Sequence, residues 1–248
     1  IFIASTIVVM KIHPFSTYMI FKKIIPFSLK ECFTIMKIGI PIGLAIFFET
    51  SIFSAVTLLM SSYDTITIAA HQTALNFSSF LYMVPLSVSM ALTIVVGFEV
   101  GGKRYRDARQ YSFMGVALTV MMSIVFAIFL YFFRTEVATI YTKDPEVIKL
   151  TANFLIFALF FQVSDAVMAP IQGALRGYKD VNVTFLLSFT AFWVIGLPVG
   201  YLFANYTDFG PYGYWVGLIV GLAIGAISLA IRLLYIQKRK YSYHSISK

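Results

Sequence analysis

Two carboxylic acids, Glu49 and Asp165, lie deep inside long apolar runs of this 248-residue sequence. Glu49 follows Lys37 by twelve residues and Asp165 precedes Arg176 by eleven, which places each acid roughly 16 to 18 Å along a helix from its nearest basic border. A charge at the centre of a bilayer costs about 2.5 to 3.5 kcal/mol on insertion scales. Acids at such a depth therefore indicate function.

The chemistry open to such a pair is cation exchange. A buried carboxyl group favours its neutral form, whereas a bound cation favours the carboxylate. The pair is thus suited to exchanging a proton or a small cation for a larger one. The alternative is structural, with each acid protonated and donating a hydrogen bond to a neighbouring helix.

Asp165 belongs to a polar face of its predicted helix. Gln162, Asp165, Ala169 and Gln172 are spaced three, four and three residues apart, so they lie on one side of an α-helix. Lipid cannot satisfy these groups, and the face must look into a helix bundle or a wet cavity.

The remaining acids have ordinary positions. Glu99, in GFEVGGKRYR, is expected to pair with Lys103 four residues later. The others fall in loops, at Asp64, Glu136, Asp144, Glu146 and Asp208 on one side and at Glu31, Asp107 and Asp180 on the other. The sequence has one cysteine, no His or Cys cluster and no Gly-x-Gly-Asp motif. We therefore expect neither an enzyme nor a bound cofactor.

The elements that hold the two acids are membrane-spanning helices. The sequence is 59% hydrophobic and 12% charged, with a mean hydropathy of +0.85, whereas a soluble domain is about 25% charged. Runs of about 20 apolar residues can span a bilayer. The pattern predicts an all-α polytopic membrane protein with six spans, near Ile38 to Met60, Ala69 to Phe98, Tyr111 to Phe133, Val147 to Ala169, Val181 to Ala204 and Tyr212 to Ile236.

The segments outside these spans complete the predicted organisation. Residues 1–10, IFIASTIVVM, are interpreted as the end of a truncated transmembrane helix, so the chain is expected to be a fragment. Residues 11–37 mix Lys with Phe and Ile, as in an interfacial segment that faces anionic lipid headgroups, and they are interpreted as a cytoplasmic linker between two membrane lobes. Residues 38–236 form a six-helix lobe, and residues 237–248 form a cytoplasmic tail.

The basic residues predict the orientation. Sixteen of the nineteen Lys and Arg residues fall on one side of the alternating loops, and cytoplasmic loops are enriched in these residues. Both chain ends are therefore expected in the cytoplasm, with the helices in the cell membrane. Because topology explains the net charge of +8, no nucleic-acid partner is expected.

Small residues in the last two spans predict close helix packing. Glycines recur every four residues at Gly213, Gly217, Gly221 and Gly225. Gly196 and Gly200 repeat the pattern one helix earlier. Such stripes let two helix backbones approach each other closely.

Three runs carry a resemblance to a known family. They are GIPIGLAIFFE, IAAHQTALNFSSFLYMVPLSVSMALTIVVGFEVGGKR and QVSDAVMAPIQGALRGYKDV. Together they resemble the second half of the multidrug and toxic compound extrusion (MATE) antiporters of the NorM type, and the resemblance covers nearly the whole chain.

The resemblance implies a twelve-helix transporter built of two six-helix lobes that face each other across a cleft. This chain would supply the C-terminal lobe, with the N-terminal lobe missing. By the same resemblance, Glu49 and Asp165 bind the coupling Na⁺ or H⁺ and handle cationic, aromatic drugs, and Tyr82 contributes to that region. Gln162 joins this cation and substrate site through its place on the polar face.

One departure from the family concerns the coupling ion. Some relatives have Tyr one turn before the Asp, where this chain has Phe161, so that position offers no phenolic oxygen. A Na⁺ site requires several hard oxygen ligands, whereas a proton requires one basic carboxylate. The choice between Na⁺ and H⁺ stays open at the level of sequence.

The expected mechanism is alternating access, in which cation entry drives drug expulsion. Pro41, Pro85 and Pro170 are candidate hinges because each removes a backbone hydrogen bond in or beside a span. A fixed kink is the other interpretation of each proline. The alternative function is a related two-lobe flippase that exports a lipid-linked precursor, which a cationic cleft would favour.

Overall fold

The structure is a computed structural model that describes residues 28–246, with side chains described for residues 28–240. Four long helices come first, α1 (Leu29–Met60), α2 (Thr65–Gly101), α3 (Tyr105–Tyr141) and α4 (Pro145–Gly177). The fifth span consists of α5 (Val181–Phe189), a π-helical segment (Thr190–Gly196) and α6 (Leu197–Tyr206), and α7 (Tyr212–Ile246) follows. The described residues thus form six spans long and apolar enough to cross a membrane, which confirms the predicted all-α class.

The outer boundaries extend beyond the predicted spans. α1 begins at Leu29, so the last nine residues of the expected 11–37 linker are helical. α7 continues to Ile246, into the expected 237–248 tail. Lys, Arg and Gln are good helix formers and no Pro interrupts either extension. The interpretation of residues 1–10 and the rest of the linker lie outside the described residues.

Acidic caps begin two of the spans. The Thr67 backbone N–H donates to Asp64 Oδ1 over 3.0 Å at the start of α2. The Glu146 N–H donates to Asp144 Oδ1 over 2.9 Å at the start of α4, where Pro145 takes the first helical position. These contacts satisfy N–H groups that have no partner within the helix.

Helix α4 lies at the centre of the bundle. It is the most buried of the spans and packs against α2, α3 and α7. Hydroxyl groups tie it to its neighbours, since Ser89 Oγ donates to the Ala169 carbonyl over 2.6 Å and Thr119 Oγ1 donates to the Ala166 carbonyl over 2.7 Å. A Cβ at Gly173 would overlap the Ser89 backbone. The central helix is thereby held in a defined register.

The glycine stripes pack the last two spans together, as predicted. A Cβ at Gly217 would overlap the backbone of Gly200, and one at Gly213 would overlap Ala204. α6 and α7 therefore approach at backbone distance, which requires small residues on both helices.

Backbone irregularities lie at positions that the sequence pattern did not identify. The fifth span contains the π-helical turn, and α3 has non-helical dihedral angles at Phe133. Pro41, Pro85 and Pro170 lie inside α1, α2 and α4 respectively. Their role as hinges remains a prediction.

Candidate functional site

A cavity of about 380 Å³ brings together three of the four predicted site residues. Glu49 comes from α1, Tyr82 from α2 and Asp165 from α4, and all three line the cavity. Much of the remaining wall is apolar, as at Phe53 and Phe161. Sequence positions 49, 82 and 165 thus meet in one chamber inside the bundle.

The fifth span contacts α1 at the residue that precedes Glu49. Trp193 Nε1, in the π-helical segment, donates to the Phe48 carbonyl over 2.9 Å. The Phe48 ring packs edge-on against Phe189, with centroids 4.8 Å apart. A π-helical turn shifts the side chains that follow it around the helix axis, and here it places an indole donor at the residue before Glu49.

A chain of hydrogen bonds connects Glu49 to a guanidinium group. Gln172 Nε2 donates to Glu49 Oε2 and to Ser188 Oγ, both over 3.3 Å. Arg176 Nη2 donates to Gln172 Oε1 over 3.3 Å. The Tyr82 hydroxyl also interacts with Glu49. Glu49 is therefore surrounded by groups that compensate its charge.

Arg176 lines the same cavity as the two acids. The sequence pattern assigned it only to the basic border of the span, about three turns from Asp165. Helical side chains point back toward the N-terminus of their helix, so the guanidinium of Arg176 reaches Gln172, one turn earlier. The separation of Arg176 from the acid site was therefore wrong.

Asp165 has a different environment. Asp165 is 4% exposed, and the charge that acts on its carboxyl group is that of Glu49, which has the same sign. One turn earlier, Phe161 packs edge-on against Phe53 at 5.8 Å and Trp215 at 6.2 Å. Asp165 is thus a carboxyl group in an aromatic wall beside a second carboxyl group.

Other oxygen atoms line the cavity near the acids. Thr50, Ser78 and Ser79 donate their hydroxyl hydrogens to helical carbonyl groups, which leaves oxygen lone pairs available to a cation. Among the residues that the structure describes, no group of three or more His, Cys, Asp or Glu side chains forms a metal cluster. An ion held here would use the two carboxyl groups with hydroxyl oxygens.

Gln162 is not among the residues that line this cavity. Its side chain is buried on α4, and neither amide atom has a hydrogen-bond partner within the described part of the chain. The buried Ser123 hydroxyl on α3 also lacks one among these residues. The shared helical face therefore did not bring Gln162 to the cavity that contains Asp165.

The sequence pattern also missed His71, which is fully buried in the bundle. Trp215 Nε1 lies 3.1 Å from His71 Nδ1, and Thr57 Oγ1 lies 3.3 Å from Nε2. An indole N–H can only donate, so Nδ1 accepts and Nε2 carries the proton. The neutral ring joins α1, α2 and α7. The sequence signal that could have predicted this contact was a histidine inside an apolar run.

Glu99 pairs with Arg104 and not with the predicted Lys103. α2 ends at Gly101, and Lys103 has a φ of 59°, in the left-handed region. The i to i+4 rule holds only while the helix continues. The ion pair was thus predicted correctly in kind and wrongly in partner.

A polar groove of about 670 Å³ adjoins the acid cavity. It contains Thr57, Gln72 and Asn76, and it shares Phe53, Leu75 and Ser79 with the cavity. The two spaces are therefore neighbours, and hydroxyl and amide groups extend from the acids toward the α1–α2 turn.

Comparisons with known proteins agree on one family. The family model described as MatE matches residues 41–202. The probable multidrug resistance protein NorM of Oceanobacillus iheyensis is 59% identical over 235 residues, which cover 95% of this chain and 53% of that protein. The protein of the same description from Bacillus subtilis is 58% identical over 237 residues, covering 96% of this chain and 52% of that protein.

Solved structures show the same fold. The eukaryotic MATE transporter AtDTX14 superimposes with a TM-score of 0.86 at 21% identity, covering 97% of this chain and 54% of that one. The Vibrio cholerae MATE transporter VcmN in the bent form gives 0.79 at 19% identity, covering 88% of this chain and 49% of that one. The chain thus spans about half the length of the relatives and structures it matches.

Proposed function

We propose that this chain, which belongs to the MatE family, forms the C-terminal half of a cation-coupled exporter of cationic, aromatic drugs. The observation that carries the proposal is the cavity in which Glu49, Asp165 and Tyr82 meet among apolar walls. Relatives that share more than half of this chain's residues are described as probable multidrug resistance proteins. A membrane cavity with two acids fits a hydrophobic cation by charge and by shape.

The drug would bind through its charge and its rings together. Carboxyl groups attract the cation, while rings such as Phe53, Phe161 and Phe192 offer apolar contact and cation–π attraction. Pockets of a few hundred cubic ångströms with few polar groups are typical of small-molecule sites. Such a cavity would accept many different drugs, because apolar contacts, unlike hydrogen bonds, do not depend on direction.

The two acids would have different roles in coupling ion entry to drug export. Glu49 already has Gln172 and, through it, Arg176 as compensating neighbours. Asp165 faces mainly the like charge of Glu49, and it therefore gains most from a bound cation. In the proposed exchange, Na⁺ or H⁺ neutralises Asp165 first and weakens the hold of the cavity on the drug, which then leaves.

The coupling ion would reach the acids through the polar groove. Its hydroxyl and amide groups can coordinate a small cation along the path to Ser79, which lines both the groove and the cavity. Alternating access needs bistable elements as well, and Pro41, Pro85 and Pro170 remain the candidate hinges. The N-terminal six-helix lobe would close the cleft from the other side.

The flippase alternative gains one supporting observation. A cationic cavity would suit an anionic lipid-linked precursor, and Arg176 lines this cavity. Two carboxyl groups nevertheless outnumber the single guanidinium among its lining residues. The balance favours a cationic substrate.

The test is ion-driven efflux of a fluorescent cationic dye from vesicles containing the full-length transporter. Asp165→Asn is expected to abolish coupled efflux, while Asp208→Asn, at an exposed loop position, leaves it intact. Glu49→Gln distinguishes a shared site from a single essential acid. Normal coupled efflux by Asp165→Asn would disprove the assignment.

The coupling ion is identified in the same vesicles. A Na⁺ gradient at uniform pH and a pH gradient without Na⁺ are applied separately. The gradient that drives dye movement identifies the coupling ion. Efflux that depends on neither gradient would refute cation coupling itself.

A further inference from the structure

A second pocket, of about 590 Å³, lies where the turns after α2 and α4 meet the last part of α7. Its wall carries five basic side chains, Lys103, Lys179, Arg232, Arg239 and Lys240. This is the end of the bundle predicted to face the cytoplasm. The pocket shares no lining residue with the acid cavity.

One of the five basic residues is neutralised within the pocket. Arg232 Nε and Nη2 donate to the two carboxylate oxygens of Asp180 over 2.7 and 3.1 Å. A bidentate pair of this kind fixes the orientation of the guanidinium group, and the pair as a whole carries little net charge. Arg232 therefore shapes the pocket wall, and the other four supply its charge.

The remaining four cations form no ion pair in the part of the chain that the structure describes. The ion pairs there are Arg104 with Glu99 and Arg232 with Asp180. The segments without described side chains, residues 1–27 and 241–248, contain no Asp or Glu. Asp180 is the one carboxylate among the described lining residues, and Arg232 engages it, so the other four positive side chains converge on the pocket without an ion-pair partner among these residues.

The positions of two lysines depend on the turns. Lys103 and Lys179 have φ angles of 59° and 61°, and each lies two residues after the last residue of its helix, Gly101 or Gly177. In the turn after α4, Tyr178 precedes Lys179 and is 7% exposed. Gln237 lies beside its hydroxyl, yet no described group reaches hydrogen-bonding geometry with it. The wall therefore also includes the buried side chain of Tyr178.

Apolar side chains are exposed beside this charged pocket. Ile231 is 64% exposed and Leu234 is 58% exposed on α7, next to Arg232. Tyr235, 55% exposed, belongs to the pocket wall. Aromatic residues at a membrane border favour the headgroup zone, and exposed aliphatic residues beside it suit acyl chains.

We infer that this pocket binds the phosphate headgroup of an anionic phospholipid, whose acyl chains lie along the exposed apolar surface of α7. Basic pockets between transmembrane helices attract such headgroups, and juxtamembrane Lys and Arg add to the attraction one by one. A free anion would use the four cations but would leave Ile231 and Leu234 without a role. The inference is independent of the transported substrate.

The test uses the full-length transporter in lipid nanodiscs, with bound lipid counted by native mass spectrometry. Probes are phosphatidylglycerol, phosphatidylcholine of the same acyl chains, and inorganic phosphate. The variant K103Q/K179Q/R239Q/K240Q should lower phosphatidylglycerol retention by about tenfold or more. R134Q/K143Q/K149Q, on the opposite end of the bundle, serves as the control and should retain it.

The outcomes separate the possible sources of negative charge. Equal retention of phosphatidylcholine, or an equal loss in the control variant, would overturn the inference. Displacement of phosphatidylglycerol by equimolar inorganic phosphate would also overturn it, in favour of a soluble-anion site. K103R/K179R, which keeps both charges and the turn lengths, should retain phosphatidylglycerol as the unsubstituted protein does, and a loss of about tenfold in this variant would overturn the inference because no charge has changed.

Discussion

The acid cavity and the basic pocket place opposite charges in opposite surroundings. Glu49 and Asp165 lie inside the bundle among aromatic walls, whereas Lys103, Lys179, Arg239 and Lys240 lie at the helix ends. Compensation reaches only one charged group in each place: Gln172 and Arg176 serve Glu49, and Asp180 serves Arg232. In both places, part of the charge is left for a ligand.

Depth explains why the two regions suit different functions. Water at the helix ends screens the basic residues, so an anion there binds at a surface without changing the fold. Inside the bundle, a charge is costly unless an ion or drug arrives to balance it. The deep site is therefore suited to exchange and the shallow one to stable contact with lipid.

Loss of both deep acids is expected to give the largest effect. The double variant Glu49→Gln, Asp165→Asn should lower ion-driven dye efflux by about a hundredfold, because no carboxylate remains to bind either cation. K103Q/K179Q/R239Q/K240Q should keep its dependence on the ion gradient. Comparable loss of ion dependence in both variants would erase the functional distinction between the regions.

A structural effect is expected at the basic pocket. Asp180→Asn removes the carboxylate that holds Arg232 by two hydrogen bonds and should lower the free energy of unfolding by about 1 to 2 kcal/mol. Thermal unfolding in detergent measures the change, with Asp208→Asn as the exposed control. A stability equal to that of the control would show that the pair is only a surface contact.

A substitution at Arg176 tests how strongly the positive charge of this residue offsets the negative charge of the acids in the cavity. Arg176→Gln removes the positive charge that reaches Glu49 through Gln172, so the coupling cation should bind about fivefold more tightly. The measurement is the cation concentration that gives half-maximal efflux. Lys149→Gln, exposed and outside the cavity, is the control, and an unchanged value for Arg176→Gln would remove Arg176 from the site.

The smallest expected effect concerns Phe161. Phe161→Tyr adds an oxygen to the wall beside Asp165 and should lower the Na⁺ concentration for half-maximal efflux by about two- to threefold, since Na⁺ prefers oxygen ligands. Phe160→Tyr, at a neighbour that is 61% exposed, is the matched control. An identical response in the two variants would show that the added oxygen does not reach the ion.

Helix positions were largely predictable because the sequence signal for a membrane span is strong. All six predicted spans lie within observed helical spans, and the glycine stripe of α7 packs as its four-residue spacing indicates. The π-helical segment and the irregularity at Phe133 were missed. The π-helical segment ends two residues before Pro198, whose missing backbone N–H was an available sequence signal, whereas no proline lies near Phe133.

The residues singled out from the sequence lie together where an acid was isolated in an apolar run, and they lie apart where the geometry between helices decides. Glu49 and Asp165 stood out because no neighbour in sequence could pair with them, and they share a cavity. Gln162 follows the same helical face as Asp165 and yet does not line that cavity. A face about 100° wide can contact several neighbouring helices, and the sequence does not say which of them lies opposite a given residue.

The sequence by itself determined the membrane class, the six spans, the two unusual acids and the separation of charge between helix ends and helix interiors. These features follow from hydropathy and from the cost of burying charge, which act residue by residue. Tertiary structure alone decided that Arg176 and Gln172 serve Glu49, that Arg104 replaces Lys103 beside Glu99, and that four cations converge at one pocket. Those outcomes depend on side-chain direction and on the turns that join antiparallel helices, which bring together residues far apart in the chain.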